Sequence, residues 1–307
     1  MALNIGFIGT GVMGAPMATH LARAGHQLTL LDANAAAARE LAATLGGGAA
    51  AARTPREVAE RSDIIITMLP NGQVVQQVVM GDGGVLEGLR PGALLLDTSS
   101  CEPWLTQQTA KALAGRGGSM VDAPVSGAAW GAQEAKLVFM VGGSDADVRR
   151  VRPLLDLMGR AVFHLGALGS GHAMKCINNC ITAITLANTA EGLVAGKRYG
   201  LDPKVMVEVL NESTGGSWIT QTHFNQRIFN RAFDDPFKLE LMLKDVGIAV
   251  ELARETATPV PLWGIGQQLW RMADHAAGPG ASVSELVRWV EQQSGTELTP
   301  GAEPRRP

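Results

Sequence analysis

Cysteine is scarce in this chain of 307 residues: Cys101, Cys176 and Cys180 make an odd, sparse set that offers no disulfide framework. Cys176 and Cys180 are one helical turn apart, which is half a metal site at most. No His-rich or acidic cluster in the sequence completes it, so ordinary packing is the simpler reading and no metal is expected. An excess of charge is lacking too. The formal net charge is −3 and the basic residues are dispersed, which gives no footprint for nucleic acid or an anionic membrane. No apolar run approaches the roughly 20 residues needed to span a bilayer. The start of the chain runs straight into Ile5-Gly6-Phe7-Ile8 with no basic segment before it, so no secretory signal is read and a cytoplasmic setting is expected.

What is present has an ordinary globular balance, 46% hydrophobic and 18% charged. The length suits about two domains. In the first half, short apolar runs at 4–8, 27–31, 64–68, 93–97, 119–122 and 137–141 read as strands. Helical stretches lie between them at 13–24, 35–45, 72–79 and 103–114, and the Ala-rich segment 33–52 fits one crossover helix. Such alternation predicts an α/β fold with a doubly wound, mostly parallel sheet over residues 1–166. After that the texture becomes wholly helical, giving an all-α domain over 167–298 entered through one long helix at 171–199. Further helices are expected at 203–213, 221–230, 237–256, 262–276 and 282–293. The glycine-rich stretch 166–171 (GALGSG) reads as a hinge, and the proline-rich tail 299–307 as frayed.

Gly9-Thr10-Gly11-Val12-Met13-Gly14 matches GxGxxG, with a strand before it and a helix after it. Gly9 permits the tight turn, Gly11 lets the backbone approach a pyrophosphate, and Gly14 lets the helix pack on the strand. N–H groups of Thr10, Val12 and Met13 at the helix start would face phosphates. The motif alone is weak. Asp32, closing the second strand at about the offset where a carboxylate takes the ribose hydroxyls, strengthens it. The expected cofactor is therefore a dinucleotide, with NAD favoured because Asp32 repels a 2′-phosphate and no arginine follows until Arg39.

From here the chain resembles a known family. The glycine motif continues as Ala15-Pro16-Met17-Ala18, and residues 21–26 read LARAGH. Later segments are Met68-Leu69-Pro70, DTSSCEP (97–103), DAPVSGAAWG (122–131), GSGHAMKCINN (169–179) and LMLKDVGIA (241–249). Together, in this order, they are similar to the β-hydroxyacid dehydrogenase family, which includes 3-hydroxyisobutyrate dehydrogenase and tartronate semialdehyde reductase. The fold implied is a Rossmann domain followed by a helical substrate domain.

The resemblance implies roles that these side chains can bear. Lys175 matches the family's catalytic lysine, the group that takes or returns the hydroxyl proton. Asn179, four residues on, shares its helix face and can orient the lysine or bind substrate; Asn178 points elsewhere. Ser126 and Gly127 match the segment that holds the substrate carboxylate. Ala128 stands where the family usually has a second glycine, and Trp130 is bulky for this loop, both of which put the substrate in doubt more than the reaction. Met68, Leu69, Pro70 and Ser100 match cofactor-side contacts, Ser100 replacing the usual threonine. Lys244, with Asp245 beside it, matches a lysine reaching the nicotinamide end. The polar loop 211–218 (NESTGGSW) is a candidate pocket wall, or a plain connection.

The resemblance thus implies hydride transfer between NAD and a small 3-hydroxy acid, with 3-hydroxyisobutyrate, tartronate semialdehyde, aldonates and short sulfonated analogues all open. Assembly as a homodimer or homotetramer is expected, the apolar helices of 237–272 supplying the contact. Three rivals have less support. A non-catalytic nucleotide-binding module would have lost the lysine, imine reductases normally lack it, and 6-phosphogluconate dehydrogenase has a much longer helical domain.

Overall fold

The apolar runs IGFI, IIIT and LLLD become central strands buried on both faces, as a parallel sheet sandwiched by helices requires. The computed structural model describes residues 2–301. Two compact units make up the chain, Met1–Lys175 and Cys176–Pro307. The division falls inside a helix, beyond the 166/167 junction where composition changes.

In the first unit the order is β1 (Asn4–Ile8), α1 (Gly14–Arg23), β2 (Gln27–Leu31), α2 (Ala35–Leu45), β3 (Ala50–Ala51), α3 (Pro55–Glu60) and β4 (Ile64–Thr67). It continues with α4 (Gly72–Met80), α5 (Val85–Gly88), β5 (Leu94–Asp97), α6 (Pro103–Ala114), β6 (Ser119–Asp122), β7 (Val125–Ser126), α7 (Ala128–Gln133), β8 (Leu137–Gly142), α8 (Asp145–Met158) and β9 (Gly159–Gly166). The sheet order is β3-β2-β1-β4-β5-β6-β8-β7, with β9 also paired to β8. β3 through β6 are parallel, and β8 reverses direction against β6 and β7. This is the doubly wound dinucleotide-binding order, 3-2-1-4-5-6, with an antiparallel extension.

The helical second half begins with α9 (Ser170–Tyr199), a single helix of 30 residues. Then come α10 (Pro203–Asn211), a π-helix (Ile219–Ile228), α11 (Leu239–Glu255), α12 (Pro261–Ala277) and α13 (Glu285–Ser294). Trp270 is fully buried and its indole N–H donates to the Ala183 carbonyl at 3.3 Å, tying α12 to α9. Among the described residues no helix is long and apolar enough to cross a membrane.

Several expectations are corrected. Segment 33–52 is not one helix: α2 stops at Leu45, Gly46, Gly47 and Gly48 turn with positive φ, and β3 follows. β9 has polar and exposed positions because it is paired on β8 alone, so it carries no buried apolar run to read. Helix α8 hides behind Arg149, Arg150, Arg152 and an internal Pro153; Ser144 caps it by accepting the Asp147 N–H at 3.1 Å. Thr299 is not frayed, since the buried Lys197 ammonium donates to its carbonyl and hydroxyl at 2.9 and 2.7 Å. The rest of the expected tail, 302–307, lies outside the described residues.

Candidate active site

The three motif glycines are required for three different reasons. A Cβ on Gly9, whose φ is +97°, would lie 2.2 Å from the Met68 carbonyl oxygen. One on Gly14 would meet the Gly9 carbonyl at 1.9 Å and the Phe7 ring at 2.9 Å, so helix α1 rests directly on its strand. Around Gly11, by contrast, nothing stands within 4 Å of that point, and neighbouring Val12 is exposed. The open space lies where a helix start leaves its first N–H groups without helical partners, so these residues fit a dinucleotide pyrophosphate.

Asp32, at the end of β2, accepts the Thr10 N–H at 2.7 Å and the Thr10 hydroxyl at 3.3 Å. Its other oxygen accepts the Asn34 N–H at 2.8 Å, and Asn34 in turn caps α2. The carboxylate thus braces the glycine turn, and it corrects one expectation: the Thr10 N–H is spent on Asp32 rather than turned to a phosphate. Met68 and Leu69 lie on the other side of that turn. The Leu69 N–H donates to the Ser99 hydroxyl at 2.9 Å, and the Thr98 hydroxyl donates to the Thr67 carbonyl at 2.7 Å. Ser99 and Thr98 are therefore buried fasteners of two strand ends, whereas Ser100 is half-buried.

In the 122–131 segment, β7 ends at Ser126, Gly127 turns with φ +131°, and Ala128 follows at φ +52°. A non-glycine residue in the left-handed region costs about 1–2 kcal/mol, so the methyl at Ala128 is held in a strained bend. Trp130 projects to solvent, 53% exposed.

Lys175 is half-buried near the start of α9. One turn on, Asn179 is buried and committed: its amide donates to Asp245 at 2.6 Å, and its oxygen accepts from Asn178 at 3.1 Å. Asn178, next in the chain, donates to Asn179 and so holds a structural role. Lys244 pairs with the same carboxylate at 3.2 Å. Cys176 and Cys180 are both buried and belong to no cluster of metal-binding groups among the described residues. Burial pushes the Cys180 thiol up to about 12, so it stays protonated. In the 211–218 loop, Ser217 and Thr220 bond each other reciprocally and Trp218 is exposed.

Residues the sequence reading passed over form a buried polar network in the first unit. Asp97 accepts from the Thr67 hydroxyl at 2.8 Å, the Ser99 N–H at 3.0 Å and the Cys101 thiol at 3.4 Å. His172 Nε2 donates to the Ser99 carbonyl at 3.1 Å, and Nδ1 meets the Thr106 hydroxyl at 2.7 Å. Asp122 accepts the Gly169 and His172 N–H groups at 2.7 and 2.8 Å. Burial pushes the Asp122 carboxyl above its ordinary value, opposed by His172 and these two N–H bonds. Asp97, Cys101 and His172 lie close enough to share an ion, but each already has protein partners. The signal in the sequence was a single carboxylate closing each of two apolar strands, LLLD and SMVD.

This network also corrects the hinge reading of 166–171. Gly169 is tied to Asp122, and a Cβ on Gly171 would lie 2.2 Å from the Met140 carbonyl. The segment is fastened to the sheet.

Residues 4–166 match the family model for the NAD-binding domain of 6-phosphogluconate dehydrogenase. Residues 169–290 match the model described as NAD-binding of NADP-dependent 3-hydroxyisobutyrate dehydrogenase. The chain is 36% identical to 2-(hydroxymethyl)glutarate dehydrogenase of Eubacterium barkeri, over 98% of this chain and 99% of that one. It is 37% identical to the NAD-dependent L-serine dehydrogenase of Pseudomonas aeruginosa, over 88% and 91%. The solved 3-hydroxyisobutyrate dehydrogenase of Mycobacterium tuberculosis with L-serine superposes with a TM-score of 0.85 at 33% identity, covering 94% of this chain and 99% of that one.

The fold and these relatives together define an NAD(P)-dependent dehydrogenase acting on a hydroxyl group. Within that class, the chain belongs to the 3-hydroxyisobutyrate dehydrogenase family.

Proposed function

We propose that the protein oxidises the primary alcohol of a small 3-hydroxy acid of the 3-hydroxyisobutyrate type, with Lys175 as general acid and base. The observation that carries this is the polar pair on α9: Lys175, and one turn on an Asn179 amide held at both ends by Asn178 and Asp245. Asparagine is a mediocre helix former, and a buried, doubly fastened amide beside a lysine serves orientation better than folding. The substrates named for the relatives support the class. 3-Hydroxyisobutyrate, L-serine and 2-(hydroxymethyl)glutarate share a CH2OH group on the carbon that bears the carboxylate, and differ in that carbon's third substituent.

NAD, when bound, supplies the hydride acceptor. The Ser126 hydroxyl and the Gly127 backbone N–H hold the substrate carboxylate. Neutral Lys175 accepts the hydroxyl proton as the carbonyl forms, and its ammonium returns that proton in the reverse direction. Asn179 fixes the lysine and the hydroxyl relative to each other. Asp32 favours NAD, because its carboxylate accepts ribose hydroxyls and repels a 2′-phosphate. Reduction of tartronate semialdehyde uses the same groups.

Exposed Leu262, Ile265 and Met272 on α12 support assembly as a homodimer or homotetramer, which a light-scattering mass tests. The catalytic reading is tested by NADH absorbance with the three acids and a 2-hydroxy acid control. Lys175→Ala should lower kcat by about 10²–10⁴-fold with NAD affinity little changed. Near-normal turnover in that variant removes the lysine from the mechanism.

A further inference from the structure

Asp122 stands where two parts of the proposed site meet. It is the last residue of β6, and the chain runs from it through Ala123 and Pro124 into the Ser126–Gly127 bend. Its carboxylate is fully buried and reaches across to the start of α9, accepting the N–H groups of Gly169 and His172. Lys175 follows His172 by three residues, about one helical turn, on the same helix.

The fit around this carboxylate leaves the turn no slack. A Cβ on Gly171 would lie 2.2 Å from the Met140 carbonyl and 2.8 Å from Asp122 Oδ2; one on Gly142 would lie 2.5 Å from Asp122 Oδ1. The same turn is also held through the His172 ring, by Thr106 and the Ser99 carbonyl. A helix cap of this kind normally comes from a residue just before the helix. Here it comes from a strand 47 and 50 residues earlier in the chain.

We propose that Asp122 is a positioning residue for Lys175: by capping the first turn of α9 from the end of β6, it sets the lysine at a fixed distance from the Ser126–Gly127 bend. The inference rests on the reading of Lys175 as the general acid and base. Its physical content is one anchor serving both the group that holds the substrate and the group that moves the proton. A displacement of about 1 Å between such groups is enough to cost on the order of a hundredfold in rate. Asparagine cannot replace the aspartate. Its single oxygen accepts one N–H, and its amide then faces the other, donor against donor.

The test is a double-mutant cycle on the full-length enzyme with NAD and 3-hydroxyisobutyrate, or whichever of the three acids turns over best. Asp122→Asn should lower kcat about tenfold or more, with the NAD dissociation constant within about twofold of the parent. Placed in Lys175→Ala, the same change should have less than about a twofold further effect on kcat, because the lysine it positions is gone. A loss of equal size in both backgrounds overturns the inference, since Asp122 would then act on the enzyme generally. Unchanged kcat in Asp122→Asn, with Lys175→Ala inactive, overturns it while leaving the lysine in place. Near-normal turnover in Lys175→Ala overturns both. Should Asp122→Asn fail to fold, Thr106→Val decides: it keeps the shape, frees one side of the His172 ring, and should lower kcat about threefold in the parent and not in Lys175→Ala. Equal kcat for Thr106→Val and the parent then overturns the inference.

Discussion

The Asn179 side chain donates to Asp245 at 2.6 Å, joining α9 to α11 by a hydrogen bond between residues 66 positions apart. The acceptor is almost fully buried and also receives Lys244, so the amide has one orientation available. Asp245→Ala leaves a buried donor without its acceptor, a loss of about 1–3 kcal/mol in stability. Turnover should fall by about tenfold as Asn179 gains freedom beside Lys175. Asp245→Asn, which keeps an acceptor oxygen but not the charge, should fall between the two. Urea unfolding and kcat measured on the same preparations check this; wild-type turnover in Asp245→Ala would show that the orientation of Asn179 is irrelevant to the chemistry.

Asp32 braces Thr10, and in the proposed function it also meets the ribose, so its replacement should have two consequences. In Asp32→Ala the repulsion of a 2′-phosphate disappears, and the glycine turn loses the acceptor of the Thr10 N–H. NAD should weaken, and the ratio of kcat/KM for NAD over NADP should narrow by about tenfold, equivalent to about 1.4 kcal/mol. A parent enzyme that prefers NADP contradicts this account of Asp32.

His223 supplies the pH dependence. It is buried on the π-helix, with Ser284 Oγ 3.2 Å from Nε2 and Asp235 3.6 Å from Nδ1. Burial holds its imidazole below the ordinary histidine value, assisted by Arg227 and opposed by Asp235. Because the folded state resists the proton that the unfolded chain takes up, this contribution to stability is complete above the unfolded value of about 6.5. It is lost as pH falls from there through the lowered folded value. His26, lowered by burial as well, acts in the same direction. Denaturation midpoints measured between about pH 8 and pH 5 should therefore fall with acidity, and less steeply in His223→Gln. Identical slopes for the two proteins rule out His223 as a source.

Much of the nucleotide half was legible because its signals are local. The GxGxxG turn needs glycine for reasons contained within a few residues of backbone, and IGFI, IIIT and LLLD announce buried strands by composition alone. The 30-residue helix α9 was visible for the same reason, as a long stretch with apolar spacing and no proline. Where the local signal was mixed, the reading failed. β9 pairs only with β8 and has few buried side chains, so its sequence says little of its conformation. The glycines of 166–171 read as freedom, yet at Gly171 a carbonyl and a carboxylate leave no room for a Cβ, and Gly166 and Gly169 have positive φ.

The sequence by itself determined the dinucleotide turn, the carboxylate at Asp32, the lysine on its helix and the family pattern that joins them. Tertiary structure alone decided which partners hold the polar groups around them: Thr10 on Asp32, Asp245 on Asn179, and Asp122 on the first turn of the helix that bears Lys175. Periodicity and turn chemistry are properties of neighbouring residues, and so can be read in order along the chain. The partner of a buried polar group is chosen by which strand end and which helix start the topology brings within about 3 Å, a distance that sequence separation does not encode.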